Sequence, residues 1–134
     1  MTLPSMPLRL LIVDDHLPFL DAARRLFEGD GMTVVGVAST SADAVDRYRR
    51  VRPDVTLVDV NLGEESGLEL ARLLAGAIPD RIAPVILIST YPEQDLVDLV
   101  EALPVVGFLS KSRLSAASVS DLVEAFERGA GPGA

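Results

Sequence analysis

Five short apolar runs, LRLLIV (8–13), TVVGVA (33–38), VTLV (55–58), PVILIS (84–89) and VVGFL (105–109), alternate with polar, helix-like segments along the whole chain. The runs are continuous rather than alternating, as expected for strands covered on both faces of a parallel sheet. Parallel neighbours need a crossover rather than a tight turn, and the segments near 17–28, 42–51, 67–76 and 93–102 supply one each. A fifth segment, 114–128, repeats Leu114, Val119, Leu122, Val123 and Phe126 at roughly helical spacing, with Ser118, Ser120, Asp121, Glu124 and Glu127 between them. One face of it is apolar. The pattern predicts an α/β chain with a doubly wound, five-stranded parallel sheet and five helices.

Punctuation agrees with those boundaries. Pro18 sits where a first helical turn tolerates it, Gly29 and Gly31 mark a helix end, Ser41 is expected to cap the second helix, and Pro53 precedes the third strand. Pro104 blocks continuation of the fourth helix. At 134 residues there is room for one core and too little for two ordinary domains. The expected organisation is an N-terminal extension over 1–7, a folded unit over 8–128 and a small, flexible tail, GAGPGA, over 129–134 that either frays or begins a linker.

Composition narrows the function classes. No apolar run approaches the roughly 20 residues that span a bilayer, and the N-terminus lacks the apolar core of a signal peptide, so a cytoplasmic location is expected without a membrane partner. Cysteine is absent, which removes disulfides and thiolate metal sites. Twenty acidic residues against twelve basic ones give a net charge of −8, a sign that repels phosphate backbones. Nucleic acid binding by this domain itself is not expected. Divalent cations and basic partner surfaces suit it better.

Ligands of doubly wound sheets bind beyond the carboxyl ends of the strands. The polar residues there are Asp14 and Asp15 after the first strand, Asp59 after the third, Ser89 and Thr90 after the fourth, and Lys111 after the fifth. Two carboxylates about 5 Å apart repel by roughly 3 kcal/mol at an effective dielectric near 20, and a third adds further repulsive pairs. Lys111 offsets part of this; the rest calls for raised pKa values or a bound divalent cation. Oxygen donors of this kind suit Mg2+. A carboxylate can also attack phosphorus, with Lys111 and the cation neutralising the phosphoryl oxygens and Ser89 hydrogen-bonding one of them. Each residue alone has a plainer reading: a helix cap for Asp14 and Asp15, a strand end for Asp59, a cap for Ser89 and Thr90, a solvated lysine, core for Phe108, an exposed loop for His16. Their coincidence at successive strand ends favours the joint site.

In LLIVDDH, VTLVDVNLGEESGLELARLL, VILISTY and GFLSKS, and in their spacing, the chain resembles the receiver domain of bacterial two-component response regulators, over about residues 8 to 128. VDDH and VVGVAST lean toward the LuxR/NarL-type subfamily, whose output is often a helix-turn-helix domain; none is present in this sequence, which reads as a stand-alone receiver or the front of a longer regulator. The resemblance implies a CheY-like, flavodoxin-like sheet of strand order 2-1-3-4-5. It implies that Asp59 is the phosphoacceptor, that Asp14, Asp15, Asp59 and the Asn61 backbone carbonyl hold Mg2+ (or Mn2+), that Ser89 is the switch hydroxyl, that Lys111 pairs with the phosphate and that Phe108 is the aromatic rotamer switch. The phosphoryl group would come from a sensor histidine kinase, and the surface of the fourth helix, fifth strand and fifth helix would change for a downstream protein or output domain, or for a homodimer partner. Such a chain is a regulator that catalyses only its own phosphotransfer and self-dephosphorylation.

Three positions depart from the family pattern. Gly63 stands where proline is usual, which predicts a more mobile loop after Asp59. Ser112 follows Lys111 where proline or aspartate is usual; the family's lysine–proline peptide is often cis, and without proline that geometry costs about 3 kcal/mol. Thr90 follows Ser89 where a smaller residue is common, and with Asn61 and Tyr91 it flanks the path of attacking water, which predicts slow self-dephosphorylation. Among rivals, a phosphatase of the haloacid dehalogenase type also uses a nucleophilic Asp, Mg2+, a Ser or Thr and a Lys, but there the nucleophile lies on the first strand and the acidic metal pair comes later. A flavin binder of the flavodoxin type would need a Ser/Thr/Gly-rich phosphate loop where Asp14 and Asp15 stand. A degenerate receiver serving only as an interaction module would not need the complete acidic, hydroxyl and lysine set.

Overall fold

The computed structural model describes residues 7–79, 83–90 and 103–129. Five parallel strands, β1 (Arg9–Val13), β2 (Thr33–Ala38), β3 (Val55–Asp59), β4 (Val85–Ser89) and β5 (Gly107–Ser110), form one sheet in the order β2-β1-β3-β4-β5. That is the expected order 2-1-3-4-5. The helices are α1 (Leu17–Gly29), α2 (Ser41–Val51), α3 (Gly67–Ala75) and a C-terminal helix, Ala116–Gly129. Four α-helices are thus described where five were expected; the segment near 93–102 lies outside the described residues, and with it the fourth-helix part of the expected switching surface.

The continuous runs are buried as their composition requires. All five residues of β3 and of β4 are buried, and alternate side chains feed two separate cores. Leu11, Val13, Val58, Val85 and Leu87 pack with Ala44 and Tyr48 of α2 and Leu70, Ala71 and Leu74 of α3. Leu10, Ile12, Val55, Leu57, Ile86 and Ile88 pack with Leu20, Ala23 and Phe27 of α1 and Val119 and Val123 of the C-terminal helix. Helices therefore cover both faces of the sheet, and period-two alternation along each strand serves a different pair of helices on each side. No helix among the described residues is long and apolar enough to cross a membrane.

Helix starts depart from expectation by a residue or two, for local reasons. Thr40, not Ser41, caps α2: its hydroxyl accepts the Asp43 amide at 3.2 Å, while Ser41 is already helical. At the C-terminal helix, Ser115 and Ser118 exchange bonds, each hydroxyl accepting the other's amide at 3.0 Å, so the helix begins at Ala116 rather than near 114. A serine here does the work of the Glu or Gln in a capping box.

Between β3 and α3 the chain makes a two-residue antiparallel ladder, Asn61–Leu62 against Glu65–Ser66. Gly63 opens its turn with φ +61°, and Glu64 has no positive φ, the pattern of a type II′ hairpin with glycine first. Proline, fixed near −65°, cannot stand there. The Glu65 carboxylate accepts the Ser41 amide at 2.9 Å and ties this hairpin to the start of α2.

Candidate functional site

Parallel strands deliver their carboxyl ends to one edge, so Asp14, Asp59, Ser89 and Lys111 meet there by topology alone. Asp14 is fully buried just after β1, Asp59 is 7% exposed at the end of β3, and Ser89 is 1% exposed at the end of β4. Asp15 is exposed. Carboxylate oxygens of Asp14, Asp15 and Asp59 all lie within 4.8 Å of one another.

The two buried carboxylates are held alike. Asp14 Oδ1 accepts the backbone amide of His16 at 2.9 Å, and Asp59 Oδ1 accepts that of Asn61 at 3.1 Å. Each is the short Asp-to-amide turn that this side chain makes readily at the end of a strand. Their second oxygens converge on one cation: Lys111 Nζ stands 2.5 Å from Asp14 Oδ2 and 3.2 Å from Asp59 Oδ2. Lys111 begins a 3-10 turn, Lys111–Arg113, directly after β5. Its ammonium also lies over the ring of Phe19, 4.2 Å from the centroid.

Electrostatics follow from this crowding. Burial pushes the Asp59 carboxyl above its ordinary value; the Asn61 amide opposes that, the Asp14 charge adds to it and Lys111 offsets part. For Lys111, burial pulls downward, but the carboxylates of Asp14 and Asp59 outweigh it and hold the ammonium above the usual lysine range. The donor set fits a hard divalent cation: three carboxylates supply oxygen only, and the space between two of them already accommodates a positive charge, that of Lys111.

Glycines shape the approach to Asp59. A Cβ at Gly67 would lie 1.9 Å from the Asp59 carbonyl oxygen, so α3 can start against the strand end only without one. A Cβ at Gly63 would meet Asp15 Oδ2 at 3.2 Å, which brings the hairpin backbone against the exposed carboxylate.

The structure brings together Asp14, Asp15, Asp59 and Lys111, with Ser89 at the adjacent strand end. Phe108 is half-buried on β5 opposite Leu87, beside the register pair Ser89 and Ser110. Thr90 is exposed immediately after Ser89, and Asn61 is exposed at the start of the hairpin. Tyr91 lies outside the described residues. Every described peptide bond is trans, including that between Lys111 and Ser112. Nothing in the sequence marks Phe19 or Glu65: Phe19 reads simply as an apolar position of α1, and its contact with Lys111 joins opposite ends of the chain.

Residues 10–127 match the family described as the response regulator receiver domain. The transcriptional regulatory protein PdtaR of Mycobacterium tuberculosis is 31% identical over 124 residues, which cover 92% of this chain and 57% of that protein. The chain spans about half the length of the curated relatives it matches. Among solved structures, the signal receiver domain of NarL from Mycobacterium tuberculosis is similar at TM-score 0.71 and 26% identity, over 92% of this chain and 96% of that one. CheY of Borrelia burgdorferi, solved with CheX, shares the fold at TM-score 0.74 and 23% identity, over 90% of each chain.

Proposed function

The chain belongs to the response-regulator receiver family, and on that premise we propose that Asp59 is its phosphoacceptor, served by Asp14, Asp15, Lys111 and Ser89. One observation carries the assignment: Lys111 bridges the Oδ2 atoms of Asp14 and Asp59, which places the cation expected to meet phosphoryl oxygens beside the candidate acceptor. The family match does not favour a haloacid dehalogenase or a flavin-binding reading.

The Asn61 amide fixes Asp59 Oδ1, which leaves Oδ2 as the oxygen to attack phosphorus. A P–N bond of a kinase phosphohistidine breaks as the new O–P bond forms, and the imidazole leaves. Lys111 then meets the phosphoryl oxygens with the same ammonium that bridges the two carboxylates, so little reorganisation is needed. Mg2+ or Mn2+ held by Asp14, Asp15, Asp59 and the Asn61 carbonyl would supply the remaining positive charge. Ser89, buried at the adjacent strand end, donates its hydroxyl to the new acyl phosphate. Phe108, half-buried on the neighbouring strand, turns inward as Ser89 moves.

A sensor histidine kinase is the donor in this reading, the chain acts in the cytoplasm, and a downstream protein or output domain reads the changed surface; a homodimer is a further form of the same readout. The unit carrying the activity spans 8–128, with 1–7 and 129–134 flanking it. The test is incubation with acetyl phosphate and Mg2+ followed by intact mass. The gain of one phosphoryl group is expected, absent when a chelator replaces the metal; no gain with any small phosphodonor would favour a receiver used only for protein contacts.

A further inference from the structure

Lys111 has a neighbour that the phosphoryl chemistry does not account for. Its Nζ lies over the Phe19 ring at 4.2 Å from the centroid, inside the range where the negative face of a ring attracts an ammonium. Phe19 stands on the first turn of α1, just past Asp14 and Asp15, and is half-buried against the core that includes Leu20 and Val119. A lysine side chain carries several freely turning bonds, and Lys111 begins a short 3-10 turn at an edge strand, so the two carboxylates alone fix the charge but not the direction from which the stem enters. The ring supplies a third, non-ionic contact.

We propose that Phe19 is a positioning residue for Lys111: its aromatic face, together with Asp14 and Asp59, seats the ammonium beside the carboxylate that takes the phosphoryl group. The ring can do what a further carboxylate could not. It attracts the cation without adding negative charge to a site already crowded with it, and it does not compete for a divalent ion. Leucine at the same place would fill similar space and keep the apolar packing, yet offer no negative face. The functional half of the proposal rests on the reading of Asp59 as phosphoacceptor; the geometric half does not.

Two measurements separate them. In metal-free protein, proton NMR of the Lys111 ε-methylene reads the ring current: an upfield displacement is expected in wild type and in Phe19→Trp, and its loss in Phe19→Leu. An unshifted methylene in wild type overturns the proposal whatever the protein does with phosphate. In the second, initial rates of phosphorylation by acetyl phosphate with saturating Mg2+ are compared for wild type, Phe19→Leu, Phe19→Trp, Lys111→Ala and the Phe19→Leu/Lys111→Ala pair. Phe19→Leu should slow the reaction by about three- to tenfold, Phe19→Trp should retain it, and the pair should match Lys111→Ala alone. The same loss in the Lys111→Ala background would assign Phe19 to packing and contradict the proposal. Should wild type accept no phosphoryl group while the upfield displacement is present, the phosphoacceptor reading of Asp59 fails and the seating of Lys111 by Phe19 stands.

Discussion

Asp14 and Asp59 use their carboxylates identically: Oδ1 of each takes the backbone amide two residues on, and Oδ2 of each faces Lys111. The lysine sits closer to Asp14 than to Asp59. Three carboxylates and one ammonium leave a net negative site, and holding it together costs part of the folding free energy.

Removing the Asp59 charge should therefore stabilise the metal-free protein. Asp59→Asn removes the cost of burying that charge, the largest contribution, and its repulsion with Asp14, against the loss of its attraction to Lys111. The expected gain is about 1–3 kcal/mol near neutral pH, read by urea unfolding with a chelator present. The pH dependence has a defined sign. Burial raises the Asp59 pKa, so the folded state holds a proton that the unfolded chain has already released, and stability falls as pH rises from the ordinary carboxylate value through the raised one. The gap in stability between Asp59→Asn and wild type should widen with pH across that window. A gap that narrows, or a less stable variant, contradicts the electrostatic account.

If Asp14 holds the divalent cation as proposed, Lys111 and the cation would share it. Lys111→Met keeps the aliphatic stem and removes the competitor, so Mg2+ affinity measured by calorimetry should rise by about tenfold, near 1.4 kcal/mol. The same variant should accept phosphate more slowly, since the ammonium that meets the phosphoryl oxygens is gone. Unchanged or weaker Mg2+ binding would show that the ion and the lysine do not share Asp14.

Gly67 holds α3 against the end of β3. Gly67→Ala would put a methyl group 1.9 Å from the Asp59 carbonyl oxygen, an overlap that backbone must yield to. A loss of about 2–3 kcal/mol in unfolding free energy is expected, together with slower phosphorylation as Asp59 shifts. An alanine variant as stable as wild type would mean that the helix start moves freely.

Thr90 is exposed directly after Ser89, and in the phosphoacceptor reading it would stand as a barrier to water attacking the acyl phosphate. Thr90→Ala should speed loss of phosphate from the acyl phosphate by several-fold, followed by intact mass after removal of the donor. No acceleration would discharge Thr90 as a barrier to water.

The strands are legible in the sequence because each is buried on both faces, which demands an unbroken apolar run; β3 and β4 show that demand in full. The principal site is legible for a related reason: parallel strands end at one edge, so polar residues at successive strand ends must meet. Boundaries are less so. Thr40 and Ser41 carry equally good capping hydroxyls, and only the extended backbone at Thr40, with the helix beginning one residue later, selects between them. Gly63 stands out in sequence as a missing proline, but its use as the first residue of a hairpin turn depends on Leu62 and Glu65 pairing across it. Phe19 is illegible altogether, since nothing in α1 announces a lysine arriving from β5.

The most direct test compares wild type with Asp59→Asn after incubation with acetyl phosphate and Mg2+, by intact mass and by peptide mapping of the modified residue. One phosphoryl group is expected on wild type, mapped to Asp59, and none on the variant. A phosphoryl group retained by Asp59→Asn, or mapped to another residue in wild type, would contradict the assignment of Asp59 as phosphoacceptor.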